Sequence, residues 1–403
     1  MSAPPPTRPP YFFTHPTFEA IFLSALGRSY QQGGDVGKVL YLSTQVADGD
    51  FDSAYAAFRQ AGDEARERAL TAVGRGHGES ARQAFLWAQN YYDSATAFCD
   101  ESSDAGRFLP TWELQHDCWM RSLPYFRPAI ETVQIPYDTT TLKGFYCRGH
   151  DPGTKRRLLI MTNGSDGGLQ DMWNDGAAGA LARGYDVLIY DGPGQGHALW
   201  KQQLYFRHDW EKVLTPVVDF ALTLPGVDER RIALQGISQG GYWMTRAVAF
   251  EKRIAATIAD PGCVNVAEAW TRPLPEALLE MLRTGQKEAF DGVMGGSLAA
   301  AQKKALNFRM RPFGMTSYFD VYTEVMRYDL TDVAGTITCP MLITDPDAEN
   351  FWPGQPRRLY DLLRCPKTLM RFSAADGGDG HCEPTALGLR ECRMFDWLDE
   401  ILA

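Results

Sequence analysis

A serine, a histidine and a group of acids occupy positions in this 403-residue sequence where they could form one catalytic group. Ser238 is the centre of a G-x-S-x-G pattern at 236–240. The apolar run 231–235 before it indicates a short buried strand, and the run 242–252 after it indicates a helix. A tight turn between such a strand and helix lifts a serine hydroxyl above the edge of a sheet. The pattern therefore predicts Ser238 as a nucleophile.

A serine hydroxyl is a weak nucleophile near neutral pH, so it needs an adjacent base. His381 follows the strand predicted at 368–372 and ends the glycine-containing loop 375–381. Such a loop can return the imidazole over Ser238. The other six histidines lie in the N-terminal helical segment or precede Ser238 along the chain, where structural or surface roles are expected. His381 is the predicted base.

The third member of such a group is a carboxylate that orients the imidazole and stabilises its cation. The turn after the penultimate predicted strand holds three acids, Asp345, Asp347 and Glu349. A D-x-x-x-P-like spacing favours Glu349, which stands four residues before Pro353. Asp345 and Asp347 remain alternatives, and Asp260, after the preceding strand, is a more distant one.

The developing oxyanion needs two preorganised backbone N–H donors. One is expected from Gln239, directly after the nucleophile. The other is expected from the loop 163–168, with Ser165 preferred and Gly164 or Asp166 as the alternatives. Gly164 and Asp166 are also predicted to contact the substrate, because this loop faces the reacting centre.

The elements that position these residues follow from periodicity. Residues 1–16 are proline-rich and predict a loose arm, and 17–130 have a helical pattern almost without strands. From 131 to 403, strands alternate with helices, including helices predicted over 172–183 and 207–223, which indicates a mostly parallel sheet covered by helices on both faces. Residues of about 263–332 interrupt the alternation and predict a helical cap over the site.

Aromatic and methionine side chains are abundant in the predicted cap. Trp270 and Tyr318 in the cap, and Trp352 beside Glu349, are predicted to contact the substrate. The alternative for the two cap residues is that they only pack the cap onto the core. The aromatic stripe of the N-terminal helices is expected to serve packing, with their tip helping to roof the site.

Composition excludes several functional classes. The net charge is −10 without a lysine or arginine cluster, so neither nucleic acid nor an anionic membrane surface is an expected partner. No run of 18 apolar residues exists, and the eight cysteines include no C-x-x-C pair. These features predict a cytoplasmic enzyme with reduced thiols, a small-molecule substrate and no metal or cofactor, with a homodimer as the candidate assembly.

The segment D-G-P-G-Q-G at 191–196 lacks the spacing and the lysine of a phosphate-binding loop. We interpret it as the tight turn after a sheet strand, where it would shape one wall of the pocket.

Several motifs together resemble a known superfamily. Besides the elbow, they are Y-D-G-P-G-Q-G at 190–196, F-W-P-G-Q at 351–355 and H-C-E-P at 381–384. The set resembles the α/β-hydrolases, in particular the group with a helical N-terminal segment that contains 2,6-dihydroxypseudooxynicotine hydrolase and the polyketide-shortening hydrolases of fungal pigment pathways. The resemblance implies an α/β-hydrolase fold with a helical N-terminal subdomain and a cap insertion. Glu349 departs from the aspartate of many relatives, so the acid stays open among Glu349, Asp345 and Asp347.

The resemblance implies a serine-dependent hydrolase that cleaves an ester, a thioester or a C–C bond next to a ketone, without a metal. The aromatic cap favours a bulky apolar or aromatic substrate, such as an intermediate of secondary metabolism. Acyl transfer or cyclisation on the same triad, aminopeptidase-like hydrolysis and non-catalytic binding of a small ligand are the alternatives. Intact Ser238 and His381 argue against the last one.

Overall fold

One mixed sheet of eight strands runs through the part of the chain that the structure, a computed structural model, describes, residues 9–149 and 155–403. The strands are β1 Ile130–Tyr137, β2 Thr140–Cys147, β3 Arg156–Thr162, β4 Asp186–Tyr190, β5 Val227–Ile237, β6 Ala256–Asp260, β7 Met341–Pro346 and β8 Lys367–Phe372. Their order in the sheet is β1-β2-β4-β3-β5-β6-β7-β8. β1 and β2 pair antiparallel, β2 pairs antiparallel with β4, and the remaining pairs are parallel. The predicted mostly parallel sheet is confirmed.

Helices cover both faces of this sheet, since its central strands are apolar on both sides. In β4, Leu188 and Tyr190 point into one core, whereas Val187 and Ile189 point into the other. The helices of this part outside the cap are α6 Ala177–Ala182, α7 Gly196–Trp200, α8 Glu211–Ala221, α9 Gln239–Val248, α15 Gln355–Leu362 and α16 Leu387–Ile401. Helices α8, α9 and α15 contribute to the first core, and α6 and α16 to the second.

The described residues of the N-terminal part form helices joined by turns, without a strand before β1. Its helices are α1 Pro16–Gly27, α2 Val36–Ser43, α3 Phe51–Gly74, α4 Gly78–Thr96 and α5 Phe108–Ser122. They enclose a core of their own that is rich in phenylalanine and alanine. Trp119 of α5 and Leu86 of α4 instead join the core beneath α6 and α16. The helical part therefore packs against one face of the sheet.

The cap lies between β6 and β7. Its helices are α10 Ala267–Thr271, α11 Glu276–Arg283, α12 Lys287–Ser297, α13 Ala300–Met310 and α14 Tyr318–Val325. They share a small core around Leu278, Phe290 and Tyr322. The carboxyl ends of β6 and β7 lie at the sheet edge where Ser238 also stands, so an insertion at this point covers that edge.

Three predicted helices begin or end elsewhere. The helix predicted over 172–183 is limited to α6, because Gly176 has φ 146°, which breaks the helical path. The helix predicted from residue 207 begins only at Glu211, and the helix predicted from residue 242 begins at Gln239. The last difference matters for the site, because α9 starts directly after Ser238.

Some expectations lie partly outside the described residues. These are the first eight residues of the predicted proline-rich arm, and His150 among the histidines set aside as non-catalytic. All eight cysteines are free thiols. Within the described ranges, no helix is both long and apolar enough to cross a bilayer, and no cluster of three or more His, Cys, Asp or Glu side chains could hold a metal ion.

Candidate active site

Ser238 stands at the turn between β5 and α9 with φ 55° and ψ −125°. This conformation is rare for a residue with a side chain and persists only where the surroundings enforce it. The Ser238 N–H donates to the carbonyl oxygen of Asp260 at 2.6 Å, which ties the turn to the end of β6. A side chain at Gly236 would overlap the carbonyl of Gly240, so the turn requires glycine there. The local structure is thus the elbow that the G-x-S-x-G pattern predicts.

His381 connects the serine to an acid. Its Nε2 lies 2.8 Å from Ser238 Oγ, and its Nδ1 lies 2.6 Å from Glu349 Oε2. The other carboxylate oxygen of Glu349 accepts the N–H groups of Phe351 at 2.8 Å and of Trp352 at 3.0 Å. Both oxygens of a side chain that is only 3% exposed are therefore satisfied.

The charge state of Glu349 follows from these contacts. Burial by itself raises the pKa of this carboxyl, but the neighbouring His381 and the hydrogen bonds from Phe351 and Trp352 lower it below its usual value. A carboxylate that stays ionised next to an imidazole stabilises the imidazolium. The arrangement can thus withdraw a proton from Ser238 Oγ.

The other candidate acids have different partners. Asp347 forms an ion pair with Arg371 at 2.7 Å, and the carboxyl of Asp260 accepts a hydrogen bond from Thr344 at 2.8 Å. Burial raises the pKa of Asp345. Of the four acids, only Glu349 lies within hydrogen-bonding distance of His381. The structure therefore brings together the serine, the histidine and the acid that the D-x-x-x-P-like spacing favours, and their catalytic roles remain a prediction.

The candidate oxyanion donors lie beside the serine. Ser165 and Gln239 both line the cavity above Ser238, and in the described part of the chain their backbone N–H groups have no protein partner. The N–H of Gly164 instead donates to Asn163 Oδ1 at 2.6 Å. Gly164 is thus excluded as the alternative donor, whereas Ser165 and Asp166 remain available.

Gly164 has a steric role instead. A Cβ at this position would lie 2.7 Å from Ser238 Cβ and 3.1 Å from its Oγ. Only glycine lets the loop approach the nucleophile so closely. The prediction that Gly164 contacts the substrate is not supported, because it lies beneath the serine and outside the cavity lining.

Two side chains of the 191–196 turn hold the loop 163–169. Gln195 Nε2 donates to the carbonyls of Asn163 at 2.6 Å and Gly164 at 3.0 Å. The carboxyl of Asp191 accepts the N–H groups of Leu169 at 2.8 Å and His197 at 2.6 Å. Burial raises the pKa of Asp191 to about 7. We interpreted this turn from the sequence as a pocket wall only. Polar residues directly after a buried strand could have indicated that the turn also holds the neighbouring loop.

A second support comes from the helical N-terminal part. Asp171 Oδ2 accepts the N–H of Gly168 at 2.9 Å, and Asp171 Oδ1 accepts hydrogen bonds from Gln89 of α4 at 3.1 Å and Gln115 of α5 at 3.3 Å. All three side chains are buried. The helical part thus holds the end of the loop beside Ser238, and no sequence pattern predicted this contact.

The cavity above Ser238 has a volume of about 930 Å³, part of which is open to solvent. Its lining joins all three parts of the chain, with Phe108 from α5, Trp270, Phe308 and Phe313 from the cap region, and Trp352 from the turn after β7.

Three of the residues predicted to contact the substrate, Trp270, Trp352 and Asp166, lie in the wall of this cavity. Tyr318 does not, because its side chain packs against the core of the cap. Gly194 and Gly196 lie in the wall, in agreement with the interpretation of their turn.

The mostly parallel sheet, the helices on both of its faces and the elbow at Ser238 together form an α/β-hydrolase fold. The family model for acetyl xylan esterase matches residues 191–268, which include the elbow. Hydrolase LUC6 of Fusarium sp is 29% identical over 402 residues, covering 95% of this chain and 96% of that protein. The 20-hydroxy-prefusarin hydrolase FUS2 of Gibberella moniliformis is 29% identical over 417 residues, covering 97% and 98%.

Among solved structures, 2,6-dihydroxy-pseudo-oxynicotine hydrolase superposes with a TM-score of 0.69 at 18% identity, covering 94% of this chain and 95% of that one. The match includes the helical N-terminal part, since it covers nearly the whole chain. The comparisons confirm the fold, and they support hydrolase activity.

Proposed function

We propose that the protein is a serine hydrolase that works through an acyl-enzyme on a bulky apolar or aromatic carbonyl substrate. The observation that carries the proposal is the continuous hydrogen-bonded chain from Ser238 through His381 to Glu349, at the floor of an aromatic cavity. Covalent catalysis requires a nucleophile and a base within hydrogen-bonding distance of each other, and a third group that orients the base.

The reaction begins with attack of Ser238 Oγ on the substrate carbonyl. His381 Nε2 takes the serine proton, and Glu349 stabilises the imidazolium that results. The backbone N–H groups of Gln239 and Ser165 hold the oxyanion of the tetrahedral intermediate. His381 then donates its proton to the leaving group. Water, activated by the same histidine, releases the acyl group as an acid.

The lining of the cavity suggests the class of substrate. Trp270, Trp352 and Phe313 offer large apolar surfaces that would bury an extended or ring-containing acyl chain. The name of the FUS2 relative refers to a hydrolase of 20-hydroxy-prefusarin, which agrees with a substrate from secondary metabolism. An ester, a thioester or a C–C bond next to a ketone would all present the carbonyl that Ser238 attacks.

Turnover of p-nitrophenyl esters with apolar acyl chains tests the proposal. Ser238→Ala should lower kcat/KM by about 10⁴-fold, because no acyl-enzyme can form without the serine hydroxyl. A serine-directed fluorophosphonate should label Ser238 and no other serine, as read by peptide mass spectrometry. Full turnover by Ser238→Ala, or an unlabelled Ser238, would refute the mechanism.

The acid is tested separately. Glu349→Gln should lower kcat by about 10³- to 10⁴-fold, because the amide cannot stabilise the imidazolium. Asp347→Asn is the matched control, since Asp347 stands two residues away and pairs with Arg371. The control should keep kcat close to that of the wild type. The assignment of Glu349 would be wrong if the two variants exchanged these results.

A further inference from the structure

We propose that Arg309, in helix α13 of the cap, binds a carboxylate at the far end of the substrate. The substrate class would then be an acyl compound with an apolar middle and a free acid away from the scissile carbonyl. The inference rests on the proposed function, since it concerns the same cavity and names the chemistry of its second end.

Arg309 is the source of positive charge in the cavity. Among the described residues of the lining, it is the only arginine or lysine. In the part of the chain that the structure describes, its guanidinium has neither an ion-pair partner nor a hydrogen-bond acceptor, and the residue is exposed. Its five N–H donors are therefore available to a ligand in a cavity otherwise walled mainly by apolar side chains.

Arg311, two residues after Arg309, differs from it in having a structural role. Arg311 forms an ion pair with Asp100 of the helical part. Its guanidinium also lies over the rings of Phe108 at 5.7 Å and Phe308 at 5.5 Å. Arg311 thus fastens the cap to the helical part, whereas Arg309 has no such acid and stays available to a ligand.

The position of Arg309 relates it to the reacting centre. Its guanidinium carbon lies 5.5 Å from the centroid of the Phe351 ring. That ring contacts the His381 ring edge to face, with centroids 4.6 Å apart. One aromatic ring therefore separates the cation from the predicted base. A substrate seated on Ser238 and lying along Phe351 could bring its other end to the guanidinium.

Asp166 and Arg309 place opposite charges at different positions in the cavity wall. Asp166 is the one aspartate or glutamate among the described lining residues, and it follows Ser165 on the loop predicted to hold the oxyanion. A negative charge there disfavours a free carboxylate near that loop, and Arg309 favours one at the cap. Arginine suits this task, because its planar fork binds both oxygens of a carboxylate at once.

A matched pair of substrates tests the inference. One is the p-nitrophenyl monoester of a linear dicarboxylic acid with four to ten carbons, and the other is the same compound with its free acid methylated. We expect the wild-type enzyme to prefer the free acid by about 10- to 100-fold in kcat/KM, as for a hydrogen bond to a charged group. The preference should peak at one chain length, because Ser238 and Arg309 are fixed relative to each other.

Variants of helix α13 supply the controls. Arg309→Gln should bring the ratio between the two esters close to one, and Arg309→Lys should leave part of the preference, since an ammonium lacks the fork. Lys303→Gln removes the same charge from the same helix, outside the cavity lining, and should keep the wild-type ratio. No preference in the wild type, or an equal ratio in Arg309→Gln and wild type, would overturn the inference.

Failure of the proposed function is distinguishable from failure of this inference. Hydrolysis of the methylated ester reports on the serine mechanism, independently of the free acid. Should neither ester be hydrolysed, the Ser238→Ala protein can still be titrated with both esters by calorimetry. Tighter binding of the free acid that Arg309→Gln abolishes would support the inference, and equal binding of both would refute it.

Discussion

The backbone N–H of Gly168, in the loop beside Ser238, donates to Asp171 Oδ2 at 2.9 Å. The other oxygen of Asp171 accepts hydrogen bonds from the side-chain amides of Gln89 and Gln115, and these two bonds link the loop to the helical N-terminal part. The loop that is to hold an oxyanion is therefore positioned by residues more than 50 positions earlier in the chain. Preorganised donors are effective only when their support is rigid, so this contact should influence the rate.

Replacing both glutamines by leucine should expose that influence. In Gln89→Leu/Gln115→Leu the buried Asp171 loses two donors, which costs about 1–3 kcal/mol for an unsatisfied buried group. We expect kcat to fall about 10-fold or more while KM changes by less than about threefold, because the loop acts on the transition state. Gln60→Leu, on the exposed side of α3, is the control and should leave kcat unchanged. A change in KM alone would contradict the positioning role.

Gly164→Ala tests the close approach between loop and nucleophile. The new Cβ would lie 2.7 Å from Ser238 Cβ, and the backbone of Ser238 cannot yield without leaving its strained conformation. We expect kcat to fall at least about 100-fold, because small displacements at a reacting group are costly. Steady-state kinetics on a p-nitrophenyl ester measures the loss, with circular dichroism to establish folding.

Gly292→Ala is the matched control for that variant. Gly292 lies in α12 of the cap, and nothing lies within 4 Å of an added Cβ. The change should leave kcat as in the wild type and raise the free energy of unfolding by about 0.5–1 kcal/mol, since alanine favours a helix more than glycine. Equal losses in both variants would mean that the effect of Gly164→Ala is not local.

The buried Asp191 should make stability depend on pH. Burial raises its pKa from the ordinary 3.8 to about 7, so between these values the folded protein holds a proton that the unfolded chain has lost. Stability from this group is present at about pH 4 and declines as the pH rises through 7. The free energy of unfolding of the wild type relative to Asp191→Asn should therefore fall by a few kcal/mol between pH 4 and pH 8.

Urea denaturation at pH steps of one unit measures this difference. Asp191→Asn also loses one acceptor for the N–H groups of Leu169 and His197, which lowers its stability at every pH without adding a slope. The exposed Asp332→Asn is the control, and its stability should run parallel to that of the wild type. A constant difference between wild type and Asp191→Asn would show that Asp191 does not titrate in this range.

The sequence was informative where the determinants are local. The elbow follows from the sterics of Gly236 to Gly240, and the order of strands and helices follows from periodicity. The spacing to Pro353 favoured Glu349 over Asp345 and Asp347, and the structure places Glu349 against His381. These are relations within a few residues or within one repeating pattern, so one sequence is enough to predict them.

Contacts between distant segments could not be predicted in this way. Nothing in the surroundings of Gln89 indicates that its amide meets Asp171, 82 residues later. The aromatic residues of the cap gave a similar difficulty, since Trp270 and Tyr318 look alike in the sequence, yet only the first faces the cavity. Side-chain direction in a helical insertion depends on how its helices pack, which composition does not determine.

The hydrogen bonds of Asp171 with Gln89 and Gln115 also limit which segments of this protein can be exchanged in a chimera. A chimera that grafts residues from β1 onward onto another helical segment would carry a buried acid without its amides. Such a transplant should be accompanied by the two glutamines, or by an apolar replacement for Asp171. For the purposes of engineering, the transferable module therefore begins with the N-terminal helices and not at the first strand.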